Sequence, residues 1–183
     1  TKPIVFYGTS ILQGGCANRP GMAHTNIISR RLNREIINLG FSGNALLDYE
    51  IAEVMSLVDA GVYVLDFVPN ASSDQIYEKM ETFYRILRDK HPRTPIIFIE
   101  DPVFTHALFD KKIAIEINKK NKAVNSVFKS LKTKGEKNIY MISSEKMLGE
   151  DGEATVDGIH FTDLGMMRYA DLVCPVIKKV LKK

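Results

Sequence analysis

Short apolar runs alternate with longer amphipathic stretches along this chain. Five of the runs have the length and the β-branched or aromatic content of buried strands, at residues 4–7, 35–39, 62–67, 96–100 and 139–142. Strands that alternate with helices form parallel βαβ units, and helices then cover both faces of the sheet. The pattern therefore predicts an α/β fold, a three-layer α/β/α sandwich around a central five-stranded parallel sheet.

Apolar residues at helical spacing mark the helices between the strands. Ser72 and Gln75 form a capping box, which begins a helix whose apolar stripe is Ile76, Met80, Phe83, Tyr84 and Leu87. That helix is expected to end at His91, because the residue before a proline avoids the helical conformation. Three more helices are predicted: around residues 26–32, along the apolar face from Ile113 to Leu131, and over 162–181 with a break or kink at Pro175.

Composition narrows the class of protein without naming a function. The 183 residues, of which 45% are hydrophobic and 26% charged, suit a single folded domain over 1–183. No apolar run approaches the ~18 residues of a membrane span. The net charge of +3 comes partly from lysines at the C-terminus, and no basic stripe is interleaved with aromatic residues. We therefore expect neither a membrane span nor a nucleic-acid partner.

The cysteines and the N-terminus bear on compartment and processing. Cys16 and Cys174 form no zinc or redox motif, and both are expected to be buried or half-buried thiols. The chain begins at Thr1 without an initiator Met, so we expect a domain cut from a longer precursor. The compartment and the oligomeric state stay open, with export from a bacterial cell (periplasmic or extracellular) as one alternative for the former.

Polar residues with catalytic chemistry follow the predicted strands. Ser10 comes just after the first strand, Asn70 after the third, and Asp157 and His160 after the fifth. Working residues of parallel sheets lie at the carboxyl ends of the strands. A nucleophilic serine needs a base, a carboxylate that orients the base, and donors for the oxyanion. The spacing of Asp157 and His160 allows the carboxylate to bind Nδ1 while Nε2 faces outward.

Each of these residues also has a purely structural interpretation. Ser10 and Asn70 are both suited to capping a helix, and Asp157 with His160 suits a solvated turn. Gly40 and Gly43, which follow the second strand, suit a left-handed turn. Only the conjunction of these residues favours a catalytic site.

The same residues carry a family resemblance that covers nearly the whole chain. Four blocks resemble those of the SGNH hydrolases, the GDSL esterase/lipase superfamily: residues 8–15 (GTSILQGG), 38–44 (NLGFSGN), 68–71 (VPNA) and 157–165 (DGIHFTDLG). The first block is most similar to a bacterial branch of GDSL-like carbohydrate esterases. The resemblance implies the SGNH, flavodoxin-like form of the three-layer fold.

The resemblance also implies a role for each matched residue. Ser10 would be the nucleophile, His160 the general base and then acid, and Asp157 the group that orients His160. The backbone N–H groups of Ser10 and Gly43 and the side-chain amide of Asn70 would form the oxyanion hole. Gly43 is preferred to Gly40 because it stands in the Ser-Gly-Asn step of the second block.

Two blocks depart from the family pattern. Thr9 stands where the family's first block usually has aspartate, a residue thought to brace the loop. In the third block, Val68 and Ala71 replace the usual glycine and acid on either side of the Pro69-Asn70 pair. The departures leave the reaction in place and bear on the class of substrate.

Other catalytic classes do not fit the spacing. The segment after Gly8 matches neither nucleotide-binding glycine motif, since Gln13 stands where a P-loop needs glycine. Leu12 occupies the second glycine position of the α/β-hydrolase elbow. His24, His91 and His106 are scattered, so they are expected to be surface or loop histidines, and no metal or cofactor is expected.

The sequence therefore predicts a serine esterase acting through an acyl-enzyme, with short acyl groups such as acetyl on a carbohydrate or small molecule as the preferred substrate. Phe104, His106 and Gln13, on loops that follow strands, are candidates for contact with the substrate. Two alternatives remain: an acyltransferase that uses the same residues, and a non-catalytic carbohydrate-binding domain that retains the fold.

Overall fold

A computed structural model describes residues 1–182 and places the strands in one parallel sheet. The strands are β1 (Ile4–Gly8), β2 (Ile36–Gly40), β3 (Val62–Asp66), β4 (Ile96–Ile99) and β5 (Ile139–Ile142), in the spatial order β2-β1-β3-β4-β5. All four pairings are parallel. The predicted five-stranded α/β/α sandwich is confirmed, and each predicted strand boundary lies within one residue of the observed one.

Within the described residues, five α-helices and two short 3₁₀ turns connect the strands, and a sixth helix follows β5. The helices are α1 (Ser10–Gln13), α2 (His24–Leu32), α3 (Tyr49–Ser56), α4 (Ser73–Lys90), α5 (Lys111–Thr133) and α6 (Asp163–Val180), and the 3₁₀ turns are Pro20–Met22 and Thr105–Leu108. One hydrophobic core lies under α2 and α6, and the other lies under α3, α4 and the C-terminal part of α5. Within residues 1–182 no helix is long and apolar enough to cross a membrane.

The helices differ from the sequence predictions at three places. The prediction contained no helix at α1 or α3, whose four and eight residues are too few for a clear period. α6 runs without interruption past Pro175, so of the predicted break or kink the break is wrong, and the kink stays a prediction. Proline removes one backbone hydrogen bond, and the packing of the buried face of α6 against the sheet retains the helix on both sides.

The centre of the sheet brings the carboxyl ends of three strands together. Gly8, the last residue of β1, is paired with Gly40 of β2 on one side and with Asp66 of β3 on the other. A side chain at Gly8 would come within 2.6 Å of the Asp66 carbonyl oxygen, so only glycine fits this crossing point. Residues 9 and 10 therefore emerge between the loops that follow β2 and β3.

His24 occupies an unexpected place. The prediction of a surface or loop histidine is wrong here, since His24 is fully buried at the start of α2. Its ring packs against Tyr169 and Phe6, with centroids 4.7 and 6.2 Å away, and neither nitrogen has a hydrogen-bond partner among the described residues. Burial lowers the pKa of His24 to about 3, so the ring is a neutral core side chain.

Candidate active site

A continuous series of hydrogen bonds joins the three residues predicted to be catalytic. The Ser10 hydroxyl lies 2.9 Å from His160 Nε2, and His160 Nδ1 lies 2.6 Å from Asp157 Oδ2. Ser10 is the first residue of α1, just after β1, and the other two come from the loop between β5 and α6. The tertiary fold thus brings together residues that are 150 positions apart in the chain.

Thr9 fixes the position of Ser10. Its hydroxyl accepts a hydrogen bond from the backbone N–H of Ile11, at 3.2 Å, and Thr9 is therefore the N-cap of α1. The interpretation of Ser10 as the cap is wrong, because Ser10 is the first residue inside the helix. Its hydroxyl is free to bond His160, and its backbone N–H is one of the unpaired donors at a helix N-terminus.

The Asp157 carboxylate organises its own loop. Oδ1 accepts hydrogen bonds from the backbone N–H groups of Ile159 and His160, at 2.9 and 2.7 Å. Oδ2 accepts a hydrogen bond from Nδ1 of the His160 ring. Slight burial would raise the pKa of Asp157, but these hydrogen bonds from His160 and Ile159 outweigh it and lower the pKa to about 2. Asp157 is thus a charged acceptor at neutral pH, which holds the imidazole in the tautomer with a proton on Nδ1.

The residues predicted for the oxyanion hole line one pocket together with Ser10. Gly43 has a φ of +68° in the turn after β2, and Asn70 follows β3. Asn70 Oδ1 accepts the backbone N–H of Ala45, at 3.3 Å, so its amide NH₂ group is left for other partners. Asn70 does not cap a helix, because the N-cap of α4 is Ser72.

Gly40 serves the packing of α1 against β2. A side chain there would meet Gln13 Cγ at 2.6 Å and the Thr9 carbonyl oxygen at 3.0 Å. Its backbone therefore needs glycine for a close approach, not for a left-handed turn. Gln13 is exposed and sits against this glycine.

A pocket of about 460 Å³ is lined in part by Ser10. Among its lining residues are Ser10, Gly43, Asn70, His160 and Phe104. Gln13 and His106 lie outside the lining. His106 packs instead against Gly158, where its backbone N–H donates to the Gly158 carbonyl at 3.1 Å.

Sequence reasoning missed the α5 side of this pocket. Three successive turns of the helix contribute Ile113, Glu116, Ile117 and Lys120. Their spacing of three to four residues places them on one face, and this periodicity was the available signal. Lys120 Nζ donates to the carbonyl oxygen of Pro69, at 2.9 Å, which ties the helix to the loop that carries Asn70.

Asp101 forms the buried end of the pocket. It is 1% exposed and lies 3.7 Å from Lys120 Nζ. Burial raises the pKa of Asp101 to about 7, against the opposing effect of the Lys120 charge. Within residues 1–182, its Oδ1 has no hydrogen-bond partner, so the pocket contains an ionisable group at neutral pH.

Comparison with known proteins shows which family the chain matches and which structures resemble it. A sequence model of the GDSL-like lipase/acylhydrolase family matches residues 1–178. A crystal structure described as a GDSL-like lipase from Bacteroides ovatus is 41% identical, with a TM-score of 0.96, and the match covers 100% of this chain and 54% of that one. No curated protein matches this chain.

Two more distant structures share the fold. The salicylyl-acyltransferase SsfX3 from a tetracycline biosynthetic pathway is 18% identical, with a TM-score of 0.84, over 98% of this chain and 55% of that one. A family two carbohydrate esterase from Clostridium thermocellum, in complex with cellohexaose, is 16% identical, with a TM-score of 0.72. The match covers 99% of this chain and 65% of that one. The chain thus spans between half and two thirds of the length of these three proteins.

Proposed function

Since the chain belongs to the GDSL-like lipase/acylhydrolase family, we propose that it is a serine esterase that hydrolyses carboxylic esters through an acyl-enzyme. The observation that carries this proposal is the hydrogen-bonded series from Ser10 through His160 to Asp157, with Ser10 and His160 lining an open pocket. A nucleophile, a base and a group that orients the base are the parts that acyl transfer needs.

In the first half-reaction, Ser10 Oγ attacks the ester carbonyl as His160 Nε2 takes the hydroxyl proton. The oxyanion that forms accepts hydrogen bonds from the Ser10 and Gly43 backbone N–H groups and from the Asn70 amide. His160 then gives its proton to the departing alcohol oxygen, which leaves the acyl group on Ser10. Between these two proton transfers, Asp157 stabilises the imidazolium without taking its proton.

In the second half-reaction, water replaces the alcohol. His160 Nε2 takes a proton from the water as its oxygen attacks the acyl carbon, and the same donors hold the second oxyanion. Collapse of this intermediate breaks the bond to Ser10 Oγ and returns the proton to it, so the carboxylic acid leaves. The His160 side chain is 31% exposed, which gives water access to the acyl-enzyme.

The proposed substrates carry short acyl groups, acetyl first, on a carbohydrate or small molecule. The names of the carbohydrate esterases that share the fold support the carbohydrate part. Apolar walls from Phe104, Ile113 and Ile117 support an acyl group beside Ser10, and the volume of about 460 Å³ also accommodates acyl groups longer than acetyl. The length of the acyl group is therefore a quantity to measure.

The deciding experiment compares wild type with Ser10→Ala on p-nitrophenyl acetate, butyrate and octanoate and on acetylated sugars. The wild type is expected to hydrolyse the short esters, and Ser10→Ala to lose that activity. Ser126→Ala, at an exposed position on α5, is the matched control. Failure of wild type on every ester would overturn the esterase proposal, and activity retained in Ser10→Ala would overturn the assignment of the nucleophile.

Transfer to an alcohol is a second candidate, favoured by the fold shared with the acyltransferase. Its test is the ratio of transfer product to free acid when glycerol or a sugar competes with water. A dominant transfer product at millimolar acceptor would make the protein a transferase. Sugar binding without turnover would instead support the non-catalytic alternative.

A further inference from the structure

Cys16 lies next to the proposed catalytic pair and is solvent-exposed, so the prediction of a buried or half-buried thiol is wrong for this residue. Three potential metal ligands meet here: the thiol sulfur of Cys16, a carboxylate oxygen of Asp157 and an imidazole nitrogen of His160. These three atoms lie within 4.8 Å of one another. Among residues 1–182, no other group of three such side chains comes as close.

The backbone holds Cys16 in this place. Cys16 has a φ of +67° and Gly14 one of +89°, and these two left-handed residues fold the chain back toward Ser10. The N–H of Gly15 donates to the Ser10 carbonyl oxygen at 2.9 Å. The N–H of Asn18 donates to Asp163 Oδ1, also at 2.9 Å. A left-handed conformation is costly for a residue with a side chain, and it persists only where the surroundings impose it.

We propose that Cys16, Asp157 and His160 form a binding site for Zn²⁺ and that zinc bound there stops catalysis. The three side chains offer sulfur, nitrogen and oxygen, the donor types that Zn²⁺ takes in proteins. Three protein ligands and one open position for water are typical of an accessible zinc site. The exposure of Cys16 and of about half of the Asp157 side chain lets the ion enter from solvent.

Binding needs small adjustments of the side chains. Tetrahedral zinc with bonds of about 2.0–2.3 Å holds its ligand atoms roughly 3.5 Å apart. Asp157 Oδ2 and His160 Nδ1, now 2.6 Å apart, have to separate, and the Cys16 sulfur, now within 4.8 Å of both ligand atoms, has to move closer. The thiol proton is released to solvent as the sulfur binds, and the ion changes no oxidation state, so no oxidant or reductant is involved.

The ion binds His160 Nδ1, because the Asp157 carboxylate lies on that side of the ring, 2.6 Å from Nδ1. Zinc there replaces the hydrogen bond between Nδ1 and Asp157, and the imidazole proton moves to Nε2. A protonated Nε2 can no longer take the Ser10 proton. The inhibitory part of this inference rests on the proposed esterase function, whereas the binding part does not.

Direct binding is measured first, without substrate. Zinc chloride is titrated into the protein in competition with a chromogenic zinc indicator, in a buffer free of chelators and thiols. Wild type is expected to bind one equivalent. Cys16→Ser and Cys16→Gly should bind at least about tenfold more weakly, since losing even an outer partner of a metal ligand costs about 10–100-fold. Glycine at position 16 also accepts the left-handed conformation, which guards against misfolding.

Two controls complete the binding experiment. Cys174→Ala removes the other thiol, which is buried in α6, and should bind zinc as wild type does. Magnesium chloride should not release zinc from the protein to the indicator, because Mg²⁺ prefers octahedral oxygen ligands. Equal zinc affinity in wild type and both Cys16 variants would overturn the site.

Inhibition is measured next, as each variant's rate relative to its own zinc-free rate. Zinc that saturates the site should stop wild type, EDTA should restore it, and the Cys16 variants should need at least about tenfold more zinc. An active wild type that is insensitive to bound zinc would overturn the inhibition. Zinc binding that depends on Cys16 in a protein without esterase activity would support the site and overturn the proposed function alone.

Discussion

The side-chain oxygen of Asn70 accepts a hydrogen bond from the backbone N–H of Ala45, at 3.3 Å. This bond links the loop after β3 to the loop after β2, which also carries Gly43. It determines which end of the amide is occupied, because a backbone N–H pairs only with the oxygen. The NH₂ group is therefore the end left for the proposed oxyanion at Ser10, even though Val68 and Ala71 replace the usual glycine and acid of the third block.

Asn70→Ala is accordingly expected to lower kcat by roughly a hundred- to a thousand-fold, since one oxyanion donor contributes about 2.7–4 kcal/mol in the transition state. Steady-state kinetics on p-nitrophenyl acetate measures this effect, and circular dichroism checks the fold. Asn118→Ala, at an exposed position on α5, is the control. A loss below tenfold would remove Asn70 from the oxyanion hole.

Thr9→Val keeps the shape of the buried Thr9 side chain but deletes the oxygen that caps α1. We expect the free energy of unfolding to fall by about 0.5–2 kcal/mol, as for other lost N-caps, and kcat to fall because Ser10 follows directly. Thr9→Ser retains the oxygen and should unfold at a higher urea concentration than Thr9→Val. Coincident urea midpoints for the two variants would show that the cap does not stabilise α1.

The burial of Asp66 should make the free energy of unfolding depend on pH. It is buried at the end of β3, and burial raises its pKa to about 8, with the nearby Tyr169 hydroxyl opposing and Asp101 adding to the increase. A carboxyl whose pKa is higher in the folded state stabilises the fold fully below its unfolded pKa of about 4. This contribution is lost as the pH rises toward 8, by at most about 1.4 kcal/mol per pH unit.

The measurement is urea unfolding of wild type and Asp66→Asn at pH 5, 6, 7 and 8. The amide cannot ionise, so the stability of wild type relative to the variant should decrease steadily over this range. His24, whose pKa of about 3 gives a dependence of the opposite sign below pH 6.5, is common to both proteins and cancels in the difference. A difference that does not change with pH would show that Asp66 ionises normally in the fold.

A substitution of Arg88 is expected to lower the stability of the fold while leaving the catalytic activity nearly unchanged. Its guanidinium is buried at the opposite end of the sheet from Ser10 and donates to Tyr84 Oη and to the carbonyl oxygens of His91, Thr94, Lys137 and Asn138. Arg88→Lys cannot reproduce this fork of donors, so we expect a loss of about 1.5–3 kcal/mol in unfolding free energy. At temperatures where the fold persists, kcat should stay within about threefold, because Arg88 is remote from the site. Arg93→Lys, at an exposed position, is the control.

Local pattern was sufficient for the elements and for one pair of site residues. Hydrophobic periodicity is a property of neighbouring residues, so the strands were predicted to within one residue, and the capping box at Ser72 lies where it was expected. Asp157 and His160 are also neighbours in sequence, so their hydrogen bond was within reach of the sequence. The short helix α3 was missed because eight residues give little periodicity.

Which distant side chains meet depended on the order of the strands. The arrangement β2-β1-β3 places Ser10 between the loops of Gly43 and Asn70, and packing against Tyr169 of α6 and Phe6 of β1 buries His24. The exposed thiol of Cys16 reaches His160 because backbone hydrogen bonds to Ser10 and Asp163 fold its loop back. The sequence by itself determined the strands, the longer helices and the residue types that suit acyl transfer. The tertiary structure decided which of them share a site, because contacts across a sheet depend on strand order and register, which local periodicity does not encode.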